Sequence, residues 1–156
     1  MKKIYRERLR KLARMLVADS KRKKGIQFDL NTVGEASGNV INSFDSEDDW
    51  TPGLNCGTTA CAMGLAAISG EFKRAGLTYE VSGGFIGTVY KGNTCSYIHA
   101  ATKTFGLTNQ EAYNLFSPNA YPPLKRRGAI GERLVADRIR EVIKVNTPKK
   151  KRTTKK

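Results

Sequence analysis

The stretch NCGTTACAMG, residues 55–64, is made almost wholly of small side chains and runs on into an alanine-rich segment up to Ser69. Asn55 is a suitable helix N-cap, and Gly70 is a suitable stop after Ser69. Small residues let neighbouring backbones approach closely, so a helix of this composition is expected at the centre of a fold. The stretch therefore predicts a central small-residue helix over residues 55–69.

Two amphipathic helices are predicted near the ends of the chain. Residues 4–20 have apolar side chains at spacings of four, three and four, which is the pattern of a helix with one buried face. These side chains are Tyr5, Leu9, Leu12 and Leu16, and the opposite face carries Lys3, Arg6, Arg10 and Arg14. Residues 129–145 predict the second helix. Its broad apolar face comprises Ile130, Leu134, Ile139, Val142 and Ile143.

Two shorter helices are predicted between them. Residues 94–105 fit a helix that Gly106 ends. Thr108 and Glu111 have the spacing of a capping box, which predicts a further helix through Phe116.

One β-hairpin is predicted in the middle of the chain. Residues 77–81 and 85–90 are rich in β-branched and aromatic side chains, and the turn SGG at 82–84 separates them. Residues 26–54 lack a sustained period and predict a loop with a short helical turn at 40–44. Together the elements predict one mainly α domain of the α+β class, with the small-residue helix at its centre, amphipathic N- and C-terminal helices and one β-hairpin.

The net charge of +14 is concentrated at the two ends of the chain. Residues 1–25 carry eleven Lys/Arg against two acids, and residues 144–156 carry seven and no acid. Residues 26–143 hold ten Lys/Arg against twelve acids. We therefore divide the chain into a basic amphipathic helix with a Lys/Arg run at 1–25, a globular domain at 26–145 and a disordered basic tail at 146–156.

Localised cations of this kind predict a polyanionic partner, either nucleic acid or an acidic protein surface. The predicted nucleic-acid-binding residues are Lys3, Arg6, Arg10, Arg14, Lys21, Arg22, Lys23, Lys24, Lys149, Lys150, Lys151, Arg152, Lys155 and Lys156. Basic ends can also serve solubility alone, which is the alternative explanation. The chain has no zinc-finger, helix-turn-helix or aromatic sheet motif that would read a base sequence.

The cysteines allow three interpretations. Cys56 at a helix N-terminus would have a favoured thiolate, and with His99, the only histidine, it suggests a papain-like cysteine hydrolase. Adding Cys61 and Cys95 gives a Cys3His set for zinc, in which Cys95 and His99 would share a helix face. The third interpretation is buried, inert thiols. It is favoured because no group is placed to orient His99 and because Cys56 and Cys61 diverge on an ideal helix. We therefore predict no catalytic residue, no metal and no cofactor.

The sequence also indicates where the protein resides. Three cysteines cannot all be paired within one chain, which suits a reducing cytosol. The longest apolar runs are far short of the roughly 18 to 20 residues that span a bilayer, and no signal peptide is recognisable at the N-terminus. We expect a cytoplasmic protein without a membrane partner. Its oligomeric state is left open.

Several segments resemble a group of small uncharacterised bacterial and bacteriophage proteins. These are FDLNTV at 28–33, CGTTACAMGLA at 56–66, and FGLT at 105–108 followed by Glu111-Ala112 and Leu115-Phe116. The group is marked by a CGTxACxxG(W/H)A segment and a later GLTxxEAxxLF segment. The likeness covers roughly residues 28–143. Leu65 stands where the group has Trp or His, and Val33 where it often has Trp. The resemblance implies a small phage or bacterial domain, and it carries no activity.

The charge pattern and the resemblance together indicate a non-enzymatic phage or bacterial accessory protein that binds nucleic acid or a nucleoprotein assembly. The first alternative is a protein-protein inhibitor or adaptor, such as a phage counter-defence factor that acts on a host protein through residues 26–54 and the hairpin. The second is the cysteine hydrolase that would use Cys56 and His99.

Overall fold

Helices dominate the fold and accompany a single sheet. The computed structural model describes residues 1–22, 26–32, 34–35, 59–82 and 85–147, and within these ranges five α-helices and six short strands are present. The helices are α1 Lys3–Asp19, α2 Ala62–Ile68, α3 Tyr97–Phe105, α4 Asn109–Phe116 and α5 Gly128–Val145. Short 3-10 turns lie at Lys73–Ala75, Pro118–Ala120 and Pro123–Lys125. The predicted class, a mainly α domain of the α+β type, is confirmed.

The sheet is larger than the single hairpin that the sequence predicts. Its strands are β1 Gln27–Phe28, β2 Gly34–Glu35, β3 Thr59–Ala60, β4 Leu77–Ser82, β5 Phe85–Tyr90 and β6 Asn93–Cys95. They lie in the order β1-β3-β2-β5-β4, and β6 pairs with β5. The β1–β3 pair is parallel and the other pairs are antiparallel. The hairpin β4–β5 is confirmed, but the prediction of one hairpin alone is wrong, because strands of two or three residues are too short to show a period.

The central helix starts later than predicted. Thr59 and Ala60 form β3, Cys61 is the N-cap, and α2 begins at Ala62. The carbonyl oxygen of Ala60 accepts a hydrogen bond from the backbone N–H of Asp29 at 3.1 Å, so sheet pairing holds this segment extended. Residues 55–58 lie outside the described part of the chain. The central position of the small-residue helix is nevertheless confirmed, since six of its seven residues are buried.

The predicted helix over residues 94–105 is also shorter. Thr94 and Cys95 belong to β6, and the N-cap is Ser96, whose Oγ accepts a hydrogen bond from the backbone N–H of His99 at 3.2 Å. The helix ends at Gly106, as the sequence predicts, in a left-handed conformation with φ +64°. Cys95 and His99 therefore do not share a helix face.

The capping box and the last helix follow the prediction with one exception. Thr108 and Glu111 form both hydrogen bonds of the box at the start of α4. In α5, Ile130 is 63% exposed, although the sequence places it on the apolar face. The inward position of the first turn is taken by Gly131, where an added Cβ would lie 2.9 Å from the Phe28 ring. A larger side chain does not fit at that point, and Ile130, one residue earlier, turns away.

Helix α1 packs into the same hydrophobic core as the remaining helices. Its buried residues are Leu9, Leu12, Ala13 and Leu16. They join a cluster that includes Met63, Ile139 and the ring of Phe105, which lies 5.3 Å from Phe72 and 6.3 Å from Phe116 between ring centres. The three-part division at 1–25, 26–145 and 146–156 stays a prediction. The predicted helical turn at 40–44 lies outside the described residues.

Candidate nucleic-acid interface

The exposed face of α1 carries cations, as the helical pattern predicts. Lys3, Arg10 and Arg14 are exposed, while the leucines opposite them are buried. Lys3 Nζ lies 3.9 Å from a carboxylate oxygen of Glu7, and both side chains are largely in solvent. An exposed ion pair of this kind contributes little to stability, so a phosphate group can compete for the lysine.

Arg6 differs from the other cations of this face because it leans towards α5. Its Nη1 donates to Thr147 Oγ1 at 3.5 Å, and its Nε is buried without a hydrogen-bond partner among the described residues. Thr147 Oγ1 in turn donates to the carbonyl oxygen of Ile143 at 2.6 Å. The prediction that Arg6 lies fully on the outer face is thus only partly met: Arg6 sits at the junction of the two terminal helices.

Other cations of α1 are anchored to the protein itself. Arg8 Nη1 donates to the carbonyl oxygen of Thr104 at 2.9 Å. Lys11 forms an ion pair with Glu71. These contacts attach α1 to α3 and to the turn after α2. The helix therefore has a cationic face towards solvent and a separate set of cations that fix its position.

Helix α5 contributes cations that the sequence reasoning did not select. Arg133, Arg140 and Lys144 are exposed, and their spacings of seven and four place them on one side of the helix. Arg133 Nε donates to Ser20 Oγ at 3.3 Å, so this side lies next to α1. The sequence does contain a signal for these cations, because most of the Lys/Arg of the nearly neutral segment 26–143 fall between residues 125 and 140. They are Lys125, Arg126, Arg127, Arg133, Arg138 and Arg140. Acids elsewhere in that segment cancel their charge in the total.

A second group of cations lies where α1 ends and α5 begins. Lys21 and Lys125 are exposed there. Arg22 lies 3.3 Å from Asp19, and Arg127 lies 2.7 Å from Asp29. The side chains of both arginines remain more than 70% exposed, so they can still meet a phosphate. Lys23 and Lys24, the rest of the predicted run, lie outside the described residues.

The last described residue of the chain, Thr147, lies beside the basic helix α1. The predicted contact residues of the basic tail, Lys149, Lys150, Lys151, Arg152, Lys155 and Lys156, lie outside the described part of the chain. Thr147, the residue before Pro148, contacts Arg6 near the start of α1. Thr147, the last described residue, and the start of α1 are thus far apart in the sequence and adjacent in the structure.

The cysteines offer little chemistry in the described residues. Cys61 is buried, and burial raises the pKa of its thiol despite backbone hydrogen bonds that favour the thiolate. Cys95 is half-buried in β6, and His99 is exposed in the first turn of α3. His99 borders a shallow cavity of about 460 Å³ with Ser96, Ile98, Asn109, Gln110 and Tyr113, and none of these is a thiol or a carboxylate. Cys56 lies outside the described residues, so the hydrolase stays untested.

The zinc hypothesis loses its geometric support. Its second half assumed that Cys95 and His99 lie on one helix face, and β6 removes that relationship. Across the described ranges, no group of three or more His, Cys, Asp and Glu side chains is placed to hold a metal ion.

Comparison of the chain with models of protein families finds no match, and searches against curated proteins and solved structures find no similar chain either. The resemblance to small bacterial and bacteriophage proteins therefore stays a prediction. No described helix is at once long enough and apolar enough to cross a membrane.

Proposed function

We propose that this chain is a non-enzymatic accessory protein of bacterial or bacteriophage origin that binds nucleic acid, or a nucleoprotein assembly, in the bacterial cytoplasm. The observation that carries the proposal is the contact between Arg6 and Thr147. It joins the start of the basic helix to the root of the basic tail. One polyanion can therefore engage both segments at the same time.

The architecture of α1 supports this role. Its leucines are held in the core, so the cations opposite them are presented on a fixed helix rather than on a mobile chain. Fixed cations at spacings of four residues lie about 6 Å apart along a helix, which is close to the spacing of successive phosphates. Binding that rests on such contacts releases counterions and weakens steeply with added salt.

The test is a binding titration of the full chain with labelled nucleic acid at several salt concentrations. Ending the chain after Thr147 and replacing Arg10 and Arg14 by Gln should together reduce affinity by at least about a hundred-fold at moderate salt. The end point after Thr147 keeps the hydrogen bonds of Asn146 and Thr147 to α5.

A matched control removes two cations that lie on other elements. Lys91 is exposed in the turn between β5 and β6, and Lys103 is exposed on α3. Replacing both by Gln removes as much positive charge as replacing Arg10 and Arg14. We expect the control to bind nearly as well as the unmodified protein. Equal losses from Lys91→Gln with Lys103→Gln and from Arg10→Gln with Arg14→Gln, each in the full chain, would mean that only overall charge matters, and would overturn the proposed interface.

A protein partner is the second candidate, and one exposed aromatic favours it. Phe85 at the start of β5 is 64% exposed, beside the turn of the hairpin. Exposed aromatic side chains are typical anchors of protein interfaces. A partner that stays bound after nuclease treatment and in high salt, and that Phe85→Ser releases, would support an inhibitor or adaptor instead of a nucleic-acid-binding protein.

A further inference from the structure

We propose that the ligand is double-stranded DNA, and that its phosphate backbone lies along a surface built jointly by the first and last helices. We call this surface the α1–α5 seam; it comprises Arg6, Arg10 and Arg14 of α1 and Arg133, Arg140 and Lys144 of α5. This inference rests on the proposed function and adds three contact residues and the class of nucleic acid to it.

Two contacts define how the helices are aligned. Arg6 meets Thr147 at one end, and Ser20 meets Arg133 at the other, so the helices run antiparallel. The interval from residue 6 to residue 20 equals that from residue 133 to residue 147, so the offset between the two helices is the same at both ends. Arg140, halfway between Arg133 and Thr147, is then level with Ala13 of α1.

This register brings together cations that are distant in sequence. Measured along the helix axes, Arg140 is level with the segment between Arg10 and Arg14, and Lys144 is level with residue 9. All four of these cations are exposed. Because α1 and α5 each carry one row, the seam presents two parallel rows of positive charge.

The dimensions of the seam fit a duplex. Packed helices lie about 8 to 10 Å apart, and the two phosphate strands of B-form DNA face each other across a minor groove about 6 Å wide. Flexible arginine and lysine side chains can adjust for the difference between the helix separation and the groove width. The 17 residues of α1 extend over about 25 Å, which corresponds to roughly seven base pairs.

The absence of stacking platforms on these helices argues against a single strand. Proteins that bind single-stranded nucleic acid stack the bases on exposed aromatic rings. Helix α5 contains no aromatic residue, and the single aromatic of α1, Tyr5, packs against Gly106. The residues of the α1–α5 seam can neutralise phosphates, but none of them has an aromatic ring on which a base could stack.

One acid within the seam provides a test of opposite sign. Asp137 forms an exposed ion pair with Arg140 at 2.5 Å. Replacing Asp137 by Asn frees Arg140 for a phosphate and removes a repulsive charge from the seam. Because both side chains are exposed, the substitution is expected to leave the fold intact.

The experiment measures binding of the full chain to a labelled 20-base-pair DNA duplex, to one of its strands and to the duplex RNA of the same sequence. Arg140→Gln with Lys144→Gln should weaken duplex DNA binding about ten-fold, and should lower the salt dependence by about two phosphate contacts. Asp137→Asn should strengthen it several-fold. The controls are Lys91→Gln with Lys103→Gln, and Glu80→Gln on the hairpin, each expected to stay within about two-fold.

The outcomes separate this inference from the proposed function. Unchanged DNA binding by Arg140→Gln with Lys144→Gln, together with weaker binding by Arg10→Gln with Arg14→Gln, would overturn the seam and leave the proposed function standing. Equal or tighter binding of the single strand or of duplex RNA would overturn the assignment to duplex DNA. No binding of any nucleic acid by the unmodified protein would overturn both. Asp137→Asn keeps the test valid if a multiple variant is unstable.

Discussion

Glu132 of α5 is hydrogen-bonded to Asp19 at the end of α1, and it is only 3% exposed. Burial, followed by the hydrogen bond and negative charge of Asp19, raises the pKa of Glu132 from its usual 4.5 to about 8, although Arg133 and Arg22 oppose the shift. Glu132 is therefore protonated in the folded protein at neutral pH, and its carboxyl group can donate to the Asp19 side chain across the junction of the two helices.

Replacing Glu132 by Gln should stabilise the protein in alkaline solution. The folded state keeps a proton that the unfolded state releases above about pH 4.5, so stability falls as the pH rises to about 8 and then levels off. Gln keeps a donor for Asp19 without titrating. We expect a gain of about 2 kcal/mol in the free energy of unfolding at pH 8, and little change at pH 4, measured by urea denaturation.

The control for this prediction is Glu141→Gln, which removes an exposed acid from the same helix. Its effect should be within about 0.5 kcal/mol at both pH values. A Glu132→Gln protein with the same pH dependence as the unmodified protein would show that this carboxyl group does not titrate across the range.

Gly106 should be sensitive to any added side chain. A Cβ at this position would overlap the ring of Tyr5, and the φ of +64° is itself unfavourable for other residues. We expect Gly106→Ala to lower the free energy of unfolding by about 3 kcal/mol. Gly92→Ala is the matched control, because Gly92 has a φ of +81° and open space around it. It should cost about 1 kcal/mol.

Tyr5→Ala combined with Gly106→Ala separates the two causes. If overlap with the ring is responsible for the larger loss, the double variant should lose less than the sum of the single variants. Additive losses would assign the whole effect to the backbone conformation.

Thr108→Ala should remove the cap of α4. The Thr108 hydroxyl accepts from the Glu111 N–H at 3.2 Å, and the Glu111 carboxylate accepts from the Thr108 N–H at 2.8 Å. Loss of the hydroxyl should cost about 1 kcal/mol by thermal or urea denaturation. Thr108→Ser keeps the oxygen and should retain most of the stability. Equal losses in both variants would indicate that packing of the methyl group is responsible instead.

Cys61 should react slowly with thiol reagents in the native protein. Its side chain is buried and the pKa of its thiol is raised by that burial, whereas Cys95 is half-buried. Alkylation followed by peptide mass spectrometry should show Cys95 modified well before Cys61, and the difference should disappear in urea. Faster native labelling of Cys61 would contradict the burial described above.

The sequence predicts those features that have a local cause. The leucine period of α1, the β-branched and aromatic strands of the hairpin and the Thr108–Glu111 box are all visible within a few residues, and all three are found. Strands β1, β2, β3 and β6 have two or three residues each, which is too short for a visible period. The partners of β1, β2 and β3 also come from distant parts of the chain. Thr59 and Ala60 are extended because β1 and β2 pair with them, which no local pattern shows.

The residues of the candidate interface also divide into those with a local sequence signal and those that depend on tertiary packing. The cations of α1 follow from a helical wheel, so Lys3, Arg10 and Arg14 could be selected without a structure. Arg140 belongs to a visibly basic segment, but its alignment with Arg10 and Arg14 could not be predicted, because it depends on the antiparallel packing of two helices that are far apart in the sequence. Arg6 was placed on the correct helix, but its contact with Thr147 is tertiary.

The pairing of α1 with α5 also affects how the protein folds as it is made. Helix α1 is synthesised before the other described helices, and α5, which covers it, is more than a hundred residues further along. At about 5 to 20 residues per second the ribosome needs roughly ten seconds to supply α5. Until then Leu9, Leu12 and Leu16 have no α5 to pack against. A nascent chain that exposes these leucines beside a row of arginines is expected to bind chaperones. Folding of the domain is expected to be slow, and to finish only after residues 128–145 have left the ribosome.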